Sequence, residues 1–155
     1  MKMKSSFKTS AEAERFFKAM EEAGKSEVAV GFFSSDTAED GTSIAEIAAY
    51  NDLGTSHIPP RPFMEQAVEG HTEDIQAAVK EGYDCIVEGD NGETAYNIIG
   101  AFLQGLVQQE ILSGSFAPNS PATVRRKGSS QPLIDTGRMR QSVRYTVRKK
   151  GEGGE

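Results

Sequence analysis

Four stretches of the chain carry apolar residues at intervals of three and four, the spacing of a helix with one buried face. They cover residues 9–24, 43–54, 62–87 and 95–113. The first two open on Ser or Thr and the third opens on Pro62, and such residues are common at helix starts. The pattern therefore predicts a body of three to four helices, with residues 62–87 forming one long helix.

Two other segments alternate apolar and polar residues, which is the spacing of a strand. The first covers residues 26–33 and brings Val28, Val30 and Phe32 to one face. The second covers residues 143–148 and places its arginines on one side, so that side is expected to face water. The pattern therefore predicts two strands in addition to the helices.

Three prolines within four positions restrict the backbone of the segment IPPRPF, residues 58–63. Pro62 holds Arg61 extended and is well placed as the first residue of the third helix. We expect Phe63 to be buried as the anchor of that helix. We expect Arg61 to make a charge-assisted contact with a carboxylate or with backbone carbonyls. The alternative is a solvated Arg61, with Pro62 only starting the helix.

Residues 122–137, ATVRRKGSSQPLIDTG, lie in a region rich in Pro, Gly and Ser. The region is predicted to be a long loop that reaches a neighbouring molecule rather than part of the core, because connections of this length are usually functional or disordered. Arg125, Arg126 and Lys127 are adjacent cations that repel one another on an isolated surface. An acidic subunit or partner beside them would relieve that repulsion.

Composition adds a strong division of charge to this picture. The 155 residues carry a net charge of −6 and are predicted to form one domain over 1–150, with 151–155 as a flexible tail. Residues 1–124 hold 8 Lys/Arg against 20 Asp/Glu, whereas residues 125–155 hold 9 against 3. The basic segment could contact nucleic acid or the acidic body of another copy, or it could be solvated with no partner. No apolar run approaches the roughly 20 residues that cross a bilayer, so no membrane partner is expected.

The triplet Asp135, Thr136 and Gly137 is the one that carries the catalytic carboxylate in aspartic proteases. That chemistry needs two carboxylates sharing a proton, so a chain with one triplet could act only as a symmetric dimer. The charged residues that follow the triplet and the helix-rich pattern disfavour a peptidase. Asp135 is expected instead to cap a short helix over 137–142 with its carboxylate.

Other enzyme signatures are absent from the sequence, which has no phosphate loop, no G-x-S-x-G and no paired Cys/His set. A protein that is not an enzyme, with neither cofactor nor metal, is therefore predicted.

Two long stretches of the chain resemble a known family. IAAYNDLGTSHIPPRPFMEQAV, residues 47–68, is similar to the N-[DE]-hydrophobic-G-T…I-P-x-R-P-F-[FM] segment of small neck and tail-completion proteins of tailed bacteriophages. SPATVRRKGSSQPLIDTGRMRQSVRYTV, residues 120–147, resembles their second signature, which includes [RK]-K-G, P-L and D-T-G. Together they cover about a third of the chain. Pro60 departs from the pattern, because a small residue is more usual there.

The resemblance implies an α+β subunit with a small antiparallel sheet packed by helices, and no activity on a substrate. It implies a ring, sixfold in expectation, at the junction of head and tail, in a virion assembled in the cytoplasm of the bacterial host. The implied partners are a head-side connector or stopper protein, a tail terminator or tail-tube protein, and DNA that passes through the lumen without specific binding. The expected interface or structural residues are Arg61, Pro62, Phe63, Arg125, Arg126, Lys127, Asp135, Thr136, Gly137 and Arg138.

Overall fold

The computed structural model describes residues 10–151 and shows an α+β fold. Within that range the chain forms seven helices and two strands, in the order α1 (Ala11–Lys25), β1 (Ser26–Gly31), α2 (Ile44–Leu53), α3 (Phe63–Glu69), α4 (Thr72–Glu88), α5 (Gly92–Ser113), α6 (Pro121–Lys127), α7 (Arg138–Gln141) and β2 (Arg144–Lys149). The predicted flexible tail lies outside the described residues except for Gly151.

The two strands pair antiparallel, from Ser26 opposite Lys149 to Gly31 opposite Arg144. Both predicted strands and their antiparallel pairing are therefore confirmed. The sheet packs on α5, where the ring of Tyr145 lies over Gly100. A Cβ at Gly100 would lie 2.7 Å from Tyr145 Cγ, so the absence of a side chain there allows the sheet to approach the helix.

Helix α5 is the central element, and it contacts α1, α3, α4, α7 and both strands. The larger of two buried clusters lies at one side of it and contains Ile44, Ala48, Phe63, Ala67, Val107, Ile111, Leu133, Met139 and Val143. The smaller cluster joins Ala19 and Ala23 of α1 to Ile86 of α4 and Ala95 of α5. Burial of these apolar side chains is the main force that holds the elements together.

The prediction of one long helix over 62–87 was wrong, because the helix is interrupted at Gly70 and His71. Gly70 costs a helix about 1 kcal/mol relative to Ala. The break also lets α3 and α4 bury their apolar faces in different places, since Phe63 belongs to the larger cluster and Ile86 to the smaller. The side chain of His71 is held within the break, where its Nδ1 lies 3.1 Å from the Ala67 carbonyl oxygen.

Residues 122–137 were predicted to be a loop outside the core, but residues 122–127 belong to α6 and Leu133 lies in the larger buried cluster. Ser120 caps this helix, with its Oγ accepting a hydrogen bond from Thr123 N at 3.2 Å. Pro121 occupies the first turn, and Gly128 ends the helix with a φ of 68°. Ser, Pro and Gly at these positions are ordinary signals for the start and end of a helix. The loop was predicted instead because the surrounding region is rich in Pro and Gly.

Of the two helices that were predicted to open on Ser or Thr, the first agrees with the expectation. Ser10 caps α1 by accepting a hydrogen bond from Ala13 N at 3.2 Å, and Thr9 lies outside the described residues. Ser43 precedes α2 but its side chain makes no capping bond. Among the described helices, none is both long and apolar enough to span a bilayer.

Candidate functional site

The loop between α2 and α3 is a tight turn that brings Arg61 back to the end of α2. Thr55 Oγ1 accepts hydrogen bonds from the amides of His57 and Ile58, and Thr55 N donates to Ile58 O at 2.8 Å. Gly54 has a φ of 78°, and a Cβ there would lie 2.9 Å from Pro60 N. Glycine is therefore required at this turn both by its backbone conformation and by the approach of Pro60.

The guanidinium of Arg61 lies at the centre of the site, although only 4% of the residue is exposed. Its Nε donates to Ala117 O at 2.9 Å, Nη1 to Asn51 Oδ1 at 2.9 Å and Nη2 to Asn119 Oδ1 at 3.2 Å. The predicted contact with backbone carbonyls is confirmed, and the solvated alternative is wrong. Burial lowers the pKa of Arg61 from its usual value.

Sequence reasoning missed the partners of Arg61. Asn51 is held in place because its Nδ2 donates to Ile47 O at 2.8 Å, and Asn119 because its Nδ2 donates to Gln131 O at 3.1 Å. Asp52 also has a role, since its Oδ1 accepts a hydrogen bond from Met64 N at 3.1 Å and so satisfies an amide at the start of α3. The only available signal was the position of these residues at helix ends, where Asn and Asp are frequent.

Phe63 is fully buried, as predicted. Its ring packs edge to face on Phe32, with the ring centroids 6.1 Å apart and the planes at 88°. Pro62 immediately precedes α3 instead of forming its first residue, a difference of one position. Phe63 thus anchors α3 in the larger cluster, where Leu133, Met139 and Val143 of the second signature are also found.

The three adjacent cations of α6 have different surroundings. Arg125 and Arg126 are exposed in the last turn, where a cation interacts favourably with the helix dipole. Lys127 is half-buried, and its Nζ donates to Gln131 O at 3.1 Å. Burial lowers the pKa of the Lys127 amine, an effect that Asp135 opposes and that Arg61 and Arg126 reinforce.

The Asp-Thr-Gly triplet forms the bend before α7, but Asp135 does not cap that helix as predicted. Gly137 occupies the cap position with a φ of 80°, and α7 has no side-chain capping bond. The nearest equivalent is Thr136 Oγ1, which accepts from Arg138 N at 3.4 Å. Gly137 adopts a left-handed conformation that glycine tolerates best. The turn at Gly137 therefore sets the direction in which α7 begins.

Asp135 is exposed and shares no hydrogen bond with another carboxyl among the described residues. An aspartic protease needs such a pair, so the geometry gives no support to a catalytic role for Asp135. Arg138 turns away from the triplet, donating from Nη1 to Thr37 O at 3.2 Å and lying 4.0 Å from Glu39. No group of three or more potential metal ligands occurs within residues 10–151.

Two adjoining cavities separate α6 from α2 and its following loop. The smaller, about 240 Å³, has Arg61 and Asn119 in its wall and opens beside His57. The larger, about 450 Å³, extends toward Ile44 and Met139. Asn51, Arg126, Lys127, Pro132 and Asp135 line both. The structure thus brings Arg61, Arg126, Lys127 and Asp135 to one place, while Phe63 lies beneath them in the core.

No known protein family, characterised protein or solved structure gives a significant match to this chain.

Proposed function

We propose that the chain is a structural subunit of the neck of a tailed bacteriophage, where copies of it form a ring at the junction of head and tail. The main support for the proposal is that the two stretches that resemble the family, residues 47–68 and 120–147, pack against each other in the larger buried cluster. Phe63 of the first packs in the same cluster as Leu133 and Met139 of the second. The two stretches therefore contribute to the same buried core.

The polar contacts around Arg61 support the same grouping. Arg61 binds Asn51 within the first stretch and Asn119 immediately before the second, 58 positions away in the chain. Arg61 therefore has a structural role, because it connects the two stretches. In this proposal the partners are further copies of the chain in a sixfold ring, a head-side connector or stopper, and a tail terminator or tail-tube protein.

The proposed role also accounts for the division of charge. Ring subunits meet through two different surfaces, and opposite charges on those surfaces favour the correct contact. DNA would pass through the lumen without specific binding, and the ring would assemble in the host cytoplasm before it became part of the virion.

Specific nucleic-acid binding is less well supported, because two arginines of the basic segment are already paired closely with acidic groups. Arg144 forms an ion pair with Asp36 and also lies over the ring of Phe33, 4.5 Å from the ring centre. Arg148 Nε lies 2.8 Å from Glu27 Oε1. These arginines hold β2 to its surroundings, so fewer cations remain to bind phosphate.

Deleting the gene for this chain from the phage that encodes it tests the proposal. Cells infected with the deletion mutant should produce full heads and free tails that do not join. Expression of the wild-type chain from a plasmid should restore complete virions. Joined, infectious particles in the absence of the chain would contradict the proposed function.

A further inference from the structure

Arg61 is a buried cation whose partners are all neutral oxygens. The guanidinium has five N–H donors, and three of them bind Ala117, Asn51 and Asn119. The other two have no partner among the described residues. Buried charges are normally paired, because an uncompensated charge in a low-dielectric environment is costly. The side chain lines the smaller cavity, which is therefore where a counter-charge would be accommodated.

The wall of this cavity is predominantly basic. Arg61, Arg126 and Lys127 contribute three positive charges, whereas Asp135 contributes one negative charge. The remaining polar lining includes Asn119 and Thr123, which can donate hydrogen bonds. A carboxylate suits this lining, since it can accept several hydrogen bonds at once from a planar guanidinium and its neighbours.

We propose that this cavity receives a carboxylate from the α3–α4 surface of a neighbouring copy of the chain. The inference rests on the ring proposed above and names the contact that closes it. The α3–α4 surface is here defined as Glu65, Glu69, Glu73 and Asp74.

The distribution of charge along the chain favours a second copy as the source of that carboxylate. Residues 63–88 contain seven Asp/Glu and one Lys, whereas residues 121–149 contain eight Lys/Arg and one Asp. All four carboxylates of the α3–α4 surface are exposed, and none of them has an ion pair among the described residues. Two unlike surfaces that complement each other form a heterologous contact, which repeats from subunit to subunit and can close into a ring.

Two neighbouring arginines of α6 provide a matched test. Arg126 lines the cavity, whereas Arg125 is an equally exposed cation that lines neither of the two cavities. In sedimentation of the full-length chain, Arg126→Glu should weaken self-association by at least about tenfold, because a buried charge pair becomes a repulsion. Arg125→Glu should change it by less than about threefold. Circular dichroism should show that both variants remain folded.

Carbodiimide cross-linking identifies the partner surface directly. In the Arg126→Lys variant, a mixture of unlabelled and isotope-labelled copies should give cross-links between position 126 of one copy and Glu65, Glu69, Glu73 or Asp74 of another. This variant retains the charge, so it also tests the contact if Arg126→Glu fails to fold.

Three results would overturn the assignment: equal effects of Arg125→Glu and Arg126→Glu, a wild-type chain that remains monomeric at every concentration, or cross-links from position 126 confined to one copy. A fourth is binding of double-stranded DNA that Arg126→Glu abolishes and Arg125→Glu does not, which would assign the cavity to phosphate. If the phage that lacks the gene does not join heads to tails, but sedimentation and cross-linking give one of these contrary results, only the cavity assignment is wrong. If the cross-links form but the phage that lacks the gene assembles normally, the proposed function is wrong and the contact between copies is still supported.

Discussion

Asn51 accepts two hydrogen bonds from Arg61, although the two residues are ten positions apart. The Arg61 amide donates to the backbone carbonyl of Asn51 at 2.8 Å, and the guanidinium donates to its side-chain oxygen at 2.9 Å. The pair fixes the loop of residues 54–60 as a closed turn at the end of α2. It also orients the guanidinium toward Ala117 and Asn119, so the second half of the chain is held to the first.

Replacing Arg61 with Met should therefore lower the free energy of unfolding by about 2–4 kcal/mol. The variant keeps much of the side-chain volume but leaves the oxygens of Asn51, Ala117 and Asn119 without their donor. Urea denaturation followed by circular dichroism measures the change. Arg125→Met is the control and should alter stability by less than about 0.5 kcal/mol, because Arg125 is exposed, lines neither cavity and has no hydrogen bond in the described part of the chain. Equal effects of the two substitutions would remove Arg61 from its structural role.

Phe63→Ala should destabilise the chain by about 3–5 kcal/mol, because it leaves a cavity in the larger buried cluster. The same denaturation experiment measures it. Phe17→Ala is a suitable comparison, since Phe17 is 61% exposed. That substitution should cost less than about 1 kcal/mol. A loss below about 1 kcal/mol for Phe63→Ala would mean that the ring lies at the surface.

Two glycines of α5 should respond in opposite directions to alanine. Gly105 is exposed and a Cβ there would meet nothing within 4 Å, so Gly105→Ala should stabilise the chain by up to about 1 kcal/mol. Gly100→Ala should instead destabilise it by about 1–3 kcal/mol, because the added methyl group meets the ring of Tyr145. Thermal melting of both variants checks the packing of the sheet on α5. A stabilising Gly100→Ala would show that Tyr145 does not pack there.

Hydrophobic periodicity was sufficient to predict α1 and α5, whose buried residues recur at helical spacing, and the alternation of apolar and polar residues was sufficient to predict both strands. It failed at Gly70, where the apolar stripe continues through a break that only the positions of the two buried clusters explain. It also failed at α6, whose short length provides too little periodicity to outweigh the surrounding Pro and Gly.

The candidate site was predicted only in part. The burial of Phe63 followed from its place after three prolines, and the contact of Arg61 with carbonyls followed from its restricted backbone. Its partner Asn119 could not be predicted, because a contact between residues 58 positions apart depends on how the whole chain packs. The role of Asp135 was predicted wrongly, since the left-handed Gly137 takes the cap position.

The chain should not bind double-stranded DNA tightly at near-physiological salt. Its net charge is −6, and Arg144 and Arg148 are engaged with Asp36 and Glu27. Electrophoretic mobility shifts over a range of salt concentrations test this expectation. Tight binding that weakens steeply with salt would indicate many phosphate contacts and would favour a nucleic-acid-binding module instead.

Electron microscopy of purified virions, combined with mass spectrometry of their proteins, tests the proposed function most directly. We expect the chain to be present in the particles. We expect a closed sixfold ring between head and tail whose density fits this fold, with α6 of each subunit facing the α3–α4 surface of the next. A neck whose density is fully explained by other proteins, in particles that lack the chain, would contradict the proposed function.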